Sequence, residues 1–197
     1  MSVAYRPIGV VRTPHAELEG MPLQTVAARG VRGVVEIEEE FAGGLADVDG
    51  FSHLLLLTHL HRAPAWAPRV VPFLDDRPRG VFATRSPRRP NPIGLSIVRL
   101  ERLEGRRVHV LDVDLLDGTP LLDLKPYVPR FDDRDGARVG WFAGRLDRLG
   151  STRSDGRFAS GRGGDLGRSA QACASSRRRS RAPSARSTAA RPAPGRW

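Results

Sequence analysis

The chain has 197 residues, 40% of them hydrophobic, which fits one soluble domain with a real core. The formal net charge of +10 lies almost entirely in residues 150–197, with eleven Arg and two Asp, because residues 1–149 hold 21 basic and 20 acidic residues. No apolar run approaches the roughly 18 residues of a membrane span, no basic-then-apolar signal sequence opens the chain, and the one cysteine excludes an internal disulfide. We therefore expect a cytoplasmic protein that is neither membrane-bound nor exported.

The chain up to residue 149 predicts a succession of β-strands joined by short turns. Segments of alternating or continuous apolar residues mark the strands, and a hairpin turns at Glu104-Gly105. The near-continuous apolar run Phe51–His61 predicts a central strand buried on both faces. The predicted strands are Tyr5–Arg12, Val34–Glu38, Phe51–His61, Gly80–Thr84, Ile93–Leu100, a hairpin return running to Leu116, and Leu121–Lys125.

Two further segments have a helical or undecided pattern. Residues 39–48 predict a short helix, and residues 139–149 a terminal strand or short helix. Because no crossover-length helices alternate with the strands, we predict a mainly β fold, a small antiparallel β-barrel with a few short helices. The sequence also lacks the glycine-rich motifs of dinucleotide and phosphate sites outside low-complexity sequence.

The expected domain organisation is one β-barrel domain over residues 1–149 and a disordered tail over residues 150–197. The tail consists mostly of Arg, Ser, Ala, Gly and Pro, and it has too few large apolar residues to offset the entropy of ordering it. It could act as an electrostatic arm for RNA phosphates. An unselected extension is the interpretation that its composition favours.

The stretch from residue 80 to residue 100 carries a polar centre that an ordinary hairpin does not need. Prolines at positions 87, 90 and 92 restrict the backbone, so the loop should be stiff and should hold its polar side chains in place. A proline-rich connector with solvated arginines remains an alternative. The polar residues of this loop are Arg85, Arg88, Arg89 and Asn91.

Two more clusters precede this loop in the chain. Pro22-Leu23-Gln24 is a proline-braced loop that could also be an ordinary turn. His59 and His61 alternate at the end of a strand and should share a face, but no third ligand follows at a typical spacing. We therefore predict no metal site, with capping or hydrogen bonding to a ligand as the roles of these histidines.

The last cluster runs from Asp112 to Tyr127. A continuous strand would place Asp112 and Asp114 on one face, and Asp123 and Lys125 would share a face of the returning strand. Carboxylates inside apolar strands are costly unless they are paired or used. Lys125 is the only lysine beside 31 arginines, which favours a site where a compact ammonium is needed. A structural ion pair of Lys125 with Asp123 or Asp114 is the alternative.

Four motifs together resemble the TsaA/TrmO-like family of S-adenosylmethionine-dependent tRNA methyltransferases. They are IGVVRTPH, FSHLLLLTHLH, ATRSPRRPNPIGLS and LLDGTPLLDLKPYVP, and the match covers about residues 5–131. The resemblance implies a small antiparallel β-barrel that works as a homodimer and binds its cofactor near the subunit interface. It also implies N6-methylation of threonylcarbamoyladenosine at position 37 of tRNA, in the anticodon loop.

The resemblance assigns cofactor contacts to eleven positions. The implied contacts to S-adenosyl-L-methionine are Pro22, Leu23, Gln24, Leu60, His61, Arg85, Leu95, Leu111, Asp112, Val113 and Asp114.

Two features depart from the family: its usual Pro-Arg-Gln is Pro-Leu-Gln here, and the arginine-rich tail stands where longer bacterial members have a folded C-terminal domain. Two other functions remain open: methylation of a small molecule or another RNA, and non-catalytic binding of RNA or cofactor.

The implied reaction needs alignment of donor and acceptor more than acid–base chemistry. The acceptor N6 belongs to a urea, so its lone pair is delocalised, and a base that removes its proton would help. Asp114 and Asp123 are the candidate bases, with Lys125 and Tyr127 orienting the base or the substrate. Arginine suits phosphate and carboxylate geometrically, so we expect Arg88, Arg89 and Asn91 at the RNA, with Arg85 beside them.

Overall fold

The computed structural model describes residues 3–155 and consists mainly of β-strands. Six of eight strands form one closed antiparallel barrel in the order β1-β2-β7-β6-β3-β8, and β4 and β5 form a separate two-stranded sheet. This confirms the predicted barrel. The strands are β1 (Gly9–Arg12), β2 (Arg32–Ile37), β3 (His53–His59), β4 (Arg69–Val70), β5 (Arg79–Gly80), β6 (Ile93–Glu104), β7 (Arg107–Leu111) and β8 (Thr119–Pro126).

The barrel closes because each strand turns alternate residues toward a shared interior. Strand β3 pairs with β6 from His53 opposite Arg99 to His59 opposite Ile93, and it pairs with β8 on its other edge. Branched side chains fill the interior, as expected where one face of every strand is buried. The fully enclosed ones include Val11, Val35, Leu54, Leu56, Val98, Val108, Val110 and Leu121.

The expectation that Phe51–His61 is buried on both faces is wrong. Along β3, Leu54 and Leu56 are buried, whereas Leu55 and Leu57 are only partly covered on the outer face. A barrel has a single interior, so a strand within it buries one face unless another layer covers the outside. The continuous leucine run therefore provides an apolar outer surface rather than a second core.

Two other strand predictions also need correction. Gly80–Thr84 is not a strand: β5 ends at Gly80, and Val81–Ala83 forms a 3₁₀ helix. The return strand stops at Leu111 rather than Leu116, because Asp112 takes a left-handed conformation with φ of 68°. That conformation breaks the extended chain and redirects the residues that follow.

The helices are all short. Residues 39–48 hold the predicted short helix in 3₁₀ form, and residues 139–149 hold two 3₁₀ turns rather than a strand. No helix within residues 3–155 has the length and apolar character needed to cross a membrane. The elements are α1 (Pro129–Asp132) and 3₁₀ helices at Thr25–Ala27, Glu39–Leu45, Val48–Gly50, Val81–Ala83, Gly140–Phe142 and Leu146–Arg148.

Residues 140–155 return along the barrel and contact two of its loops. Trp141 Nε1 donates a hydrogen bond to Ala83 O at 2.7 Å, and Arg145 pairs with the enclosed carboxylate of Asp75 at 3.3 Å. Ser154 is buried. Residues 150–155, assigned to the tail from the sequence, therefore pack on the barrel, and the predicted disorder of residues 156–197 lies outside the described residues.

Candidate functional site

A cavity of about 340 Å³ opens at the end of the barrel where β3 finishes and β6 begins. Its walls come from the loop before the first 3₁₀ helix, the chain after β3, the proline-rich loop, the start of β6 and the segment between β7 and β8. The volume lies in the usual range for small-molecule and cofactor sites. The cavity brings together nine predicted site residues: Pro22, Leu23, Gln24, Leu60, His61, Arg85, Arg89, Leu95 and Asp114.

Asp114 reaches the cavity from the segment after β7. Ser96, the second inward-facing residue of β6, donates a hydrogen bond from Oγ to Asp114 Oδ1 at 2.6 Å. Burial raises the pKa of Asp114, while the Ser96 hydrogen bond and the charge of Arg85 oppose that rise. A carboxylate made more basic in this way, and held in one orientation, can accept a proton from a bound ligand.

Arg85 connects two walls of the cavity. Its guanidinium donates a hydrogen bond to Gln24 Oε1 at 2.9 Å, and the Gln24 amide in turn donates to Leu23 O at 2.6 Å. Gln24 is neutral, so Arg85 keeps its full positive charge at the cavity. The arrangement can bind a carboxylate or phosphate group of a ligand.

Gly94 allows close packing at the cavity wall that contains Leu60. A Cβ at this position would lie 2.5 Å from Thr58 Oγ1 and 2.9 Å from Leu60 Cδ2. The Thr58 hydroxyl is fully buried and has no hydrogen-bond partner among the described residues. Glycine therefore lets β6 approach Leu60 closely and leaves a polar atom directly behind the wall of the cavity.

The other arginines of the proline-rich loop, Arg88 and Arg89, donate hydrogen bonds to backbone carbonyl oxygens. Arg88 Nε donates to Ala65 O at 3.0 Å, and Arg89 donates to Val81 O at 3.1 Å and Thr84 O at 2.8 Å. These bonds hold the loop in place, as its prolines predict. Asn91 is exposed and, like Arg88, does not line the cavity.

Asp112 and Asp114 do not share a face, contrary to the prediction, because the left-handed residue 112 ends the strand alternation. Asp112 accepts a hydrogen bond from Gly30 N at 2.7 Å and lies 3.7 Å from Arg99 Nε. Val113 is buried in the barrel core. Leu111 and these two residues stand outside the cavity that Asp114 lines.

The other candidate catalytic residues lie on the outer face or at the far end of β8. Asp123 and Lys125 form an exposed ion pair at 2.6 Å, which is the structural alternative raised from the sequence. Tyr127 donates its hydroxyl proton to Asp133 at 2.8 Å, beyond the point where β8 pairs with the start of β3. None of the three lines the cavity of its own subunit.

The two histidines after β3 differ in their surroundings. His61 lines the cavity, and burial, together with the charges of Arg62 and His59, lowers its pKa so that the ring is neutral at neutral pH. Across residues 3–155, no three His, Cys, Asp or Glu side chains come close enough to hold a metal ion. His61 is thus available to hydrogen-bond a ligand.

The sequence reasoning missed five polar residues of the cavity: Arg62, Thr84, Ser96, Thr119 and Ser154. Ser96 and Thr119 are inward-facing polar positions on strands whose inward residues are otherwise apolar or glycine, and this exception in the alternation could have revealed them. Ser154 lines the cavity from the C-terminal segment, where its hydroxyl donates to Leu18 O and its amide donates to Met21 O at 2.8 Å. No local pattern marks Ser154.

One known protein family matches the part of the chain that forms this cavity. The profile of the tRNA-methyltransferase O N-terminal domain family matches residues 10–133, which run from β1 to the end of α1. The chain belongs to the TrmO family of methyltransferases. This match confirms the resemblance drawn from the sequence motifs. Residues 10–133 contain every residue that lines the cavity except Ser154, which bonds the loop before the first 3₁₀ helix.

Relatives span archaea and bacteria. A probable S-adenosyl-L-methionine-binding protein of Pyrococcus abyssi is 48% identical over 160 residues, which are 81% of this chain and 87% of that protein. The tRNA (adenine(37)-N6)-methyltransferase of Escherichia coli is 37% identical over 138 residues, 65% of this chain and 59% of that protein. A crystal structure of TrmO from Pseudomonas aeruginosa is 41% identical, with a TM-score of 0.61 over 71% of this chain and 62% of that one. This chain therefore aligns with about three fifths of the length of each of the latter two proteins.

Proposed function

We propose that this TrmO-family protein is an S-adenosyl-L-methionine-dependent methyltransferase that methylates N6 of threonylcarbamoyladenosine at position 37 of tRNA. The observation that carries the proposal is the convergence of Gln24, Arg85, Leu95 and Asp114 on one cavity. The name of the Escherichia coli relative, a tRNA (adenine(37)-N6)-methyltransferase, supports tRNA, position 37 and the N6 atom, and the name of the Pyrococcus abyssi relative supports the cofactor. We expect the reaction to take place in the cytoplasm.

The residues of the cavity fit the cofactor. Leu60 and Leu95 offer apolar walls for an adenosyl group, and Arg85 offers a cation for the methionyl carboxylate. The close approach that Gly94 permits leaves space that a larger side chain would fill. When bound, S-adenosyl-L-methionine supplies an electrophilic methyl group on a sulfonium.

Asp114 takes the proton from the acceptor nitrogen in this proposal. The urea N–H of the modified base is acidic enough for a carboxylate of raised pKa to accept its proton as the nitrogen becomes nucleophilic. Ser96 holds one oxygen of Asp114, which fixes the orientation of the carboxylate at the cavity. General-base catalysis of this kind contributes about 100-fold or more to a rate.

A second copy of the chain would complete the site. The outer face of β6 next to the cavity exposes Ile93, Leu95 and Ile97, and the register places Leu55 and Leu57 beside them on β3. A contiguous apolar face of this kind marks an interaction surface. Because Leu95 belongs both to this face and to the cavity, a homodimer through this face puts each cavity at the subunit interface.

In the proposed dimer, the remaining candidate catalytic residues lie near the subunit interface. Asp123 lies opposite Leu57 and Lys125 opposite Leu55, so both border the apolar face. Any contribution of Asp123 and Lys125 to catalysis is therefore made in the partner subunit's cavity. Tyr127 follows the end of β8 and its amide donates to His53 O at the start of β3, whereas the cavity lies at the other end of β3, so Tyr127 orients substrate only across the dimer.

Oligomeric state tests this face directly. An Ile97→Glu variant places a charge in the apolar face without touching the cavity lining, and we expect it to be monomeric in sedimentation experiments. A Val3→Glu variant, which changes an exposed valine near the N-terminus, is the matched control and should keep the wild-type state. Equal sedimentation of both variants and the wild type would contradict a dimer through β6.

The nucleosides of cellular tRNA test the proposed activity. Cells that lack the protein should lose methylation of threonylcarbamoyladenosine at position 37, detected by mass spectrometry. Expression of the wild type should restore the methylated fraction, whereas Asp114→Asn should not. A methylated fraction unchanged by the deletion would remove the tRNA assignment and leave a small molecule or another RNA as the substrate.

A further inference from the structure

One long connection carries a surface that the reaction does not require. Residues 60–92 join β3 to β6, and we call them the excursion. They contain seven arginines and two aspartates, so their net charge is +5, although residues 1–149 together carry only +1. The positive charge of the described barrel is therefore concentrated in the excursion, which also forms one wall of the cavity.

Three arginines of the proline-rich loop have no carboxylate ion-pair partner among residues 3–155. Within residues 3–155, carboxylates pair with Arg62 and Arg79 of the excursion. By contrast, Arg85, Arg88 and Arg89 donate to neutral amide and carbonyl oxygens. A guanidinium bonded to neutral oxygens remains a full cation, so this part of the surface attracts polyanions.

Phe82 stands on this basic surface with 73% of its area exposed. Val81, directly before it, and Thr84, two residues after it, are buried, and the Thr84 amide and hydroxyl both donate to Val81 O. The guanidinium carbon of Arg89 lies 5.5 Å from the centre of the Phe82 ring. The ring is therefore held outward by an anchored turn instead of folding onto the protein.

Trp66 is the second exposed aromatic residue of the excursion, with 51% of its area exposed. Hydrogen bonds to Arg88 fix the chain on both sides of it: Ala67 N donates to Arg88 O at 3.2 Å, and Arg88 Nε donates to Ala65 O. A large indole that remains half exposed between two such anchors is poised for contact with another molecule.

We propose that Phe82 and Trp66 stack on nucleobases of a single-stranded RNA loop that flank the methylated nucleotide, while Arg88 and Arg89 hold its phosphates. Exposed aromatic rings beside arginines are the means by which proteins read unpaired bases. Phe82 lies two residues before Thr84, which lines the cavity, so a base stacked there neighbours the nucleotide that enters. The inference rests on the proposed function, because it takes RNA as the substrate.

Binding of a fluorescein-labelled 17-nucleotide anticodon stem-loop, followed by anisotropy with the full chain, tests this surface. We expect Phe82→Ala and Trp66→Ala each to weaken binding about 5- to 50-fold. Phe131→Ala is the matched control, because Phe131 is 67% exposed on α1 but lies outside the excursion, and it should bind as the wild type does. Calorimetry with S-adenosyl-L-methionine should give one affinity for all four proteins, which shows that the cavity is intact.

A second measurement does not depend on deleting a side chain. Stacking on Trp66 should quench its fluorescence when the stem-loop binds, and a Trp66→Phe variant should lose that part of the quenching while keeping most of the affinity. Wild-type affinity in both alanine variants, or equal quenching in Trp66→Phe and the wild type, overturns the proposal.

The proposal and the proposed function fail differently. Methyl transfer to tRNA with an unchanged KM in Phe82→Ala and Trp66→Ala refutes the stacking surface and leaves the activity standing. Stem-loop binding that depends on Phe82 and Trp66, without methyl transfer to any tRNA, supports the surface and refutes the activity. A wild-type protein that does not bind the stem-loop overturns both.

Discussion

A single methyl group at position 94 should damage both the barrel and the cofactor site. In Gly94→Ala, the new Cβ would lie 2.5 Å from Thr58 Oγ1 and 2.9 Å from Leu60 Cδ2, closer than real Cβ contacts come. Thr58 is branched and fully buried, so it cannot turn away freely. Overpacking of this kind costs about 1 to 3 kcal/mol, which lowers Tm by about 2 to 12 °C in a chain of this size.

Thermal unfolding and calorimetry with S-adenosyl-L-methionine measure the two effects. The displaced Leu60 should also weaken cofactor affinity, because it forms a wall of the cavity. Gly80→Ala is the matched control: its φ is −57° and nothing lies within 4 Å of a Cβ there, so it should leave both quantities unchanged. Adding Thr58→Ala removes the closest atom and should recover part of the lost stability. The reasoning is refuted if Gly94→Ala and Gly80→Ala behave alike.

Three further variants test the charged groups. Burial alone would raise the pKa of Asp75, but the hydrogen bond from Arg79 and the surrounding cations lower it to about 2. Asp75→Asn should therefore destabilise the fold at neutral pH and reduce the loss of stability as the pH falls from about 4 toward 2. Burial raises the pKa of Asp114, so its ionisation costs stability as the pH rises through the folded pKa. In urea unfolding, Asp114→Asn should therefore gain stability relative to the wild type as the pH rises above about 4. Arg85→Ala should weaken S-adenosyl-L-methionine binding about tenfold by calorimetry, whereas Arg99→Ala, outside the cavity, should not.

The barrel was predictable because alternation is a local property. Segments such as Val34–Glu38 and Ile93–Leu100 carry the period of a strand with one buried face, and short turns between them exclude crossover helices. The run Phe51–His61 was misassigned because a leucine run has the same pattern whether its second face meets a core or a partner. Only closure of the barrel fixes which leucines face outward.

The sequence predicts only some of the residues that line the cavity, and the residues it misses or misplaces have physical causes. Gln24, Arg85 and Asp114 come from distant segments, and the family motifs rather than local patterns indicated that they belong together. Asp112 was grouped with Asp114 because strand alternation was carried through a residue that adopts a left-handed conformation. Ser154 contacts the cavity through a long-range packing arrangement that no sequence period encodes.

Transfer of a tritiated methyl group from S-adenosyl-L-methionine to tRNA tests the central claim most directly. With purified wild-type protein, we predict that label enters tRNA that carries threonylcarbamoyladenosine, at nucleotide 37, and that Asp114→Asn reduces the rate about 100-fold or more. Arg99→Ala should label the RNA at the wild-type rate. Equal labelling of tRNA with and without the threonylcarbamoyl group, or no labelling by a protein that binds the cofactor, would contradict the account.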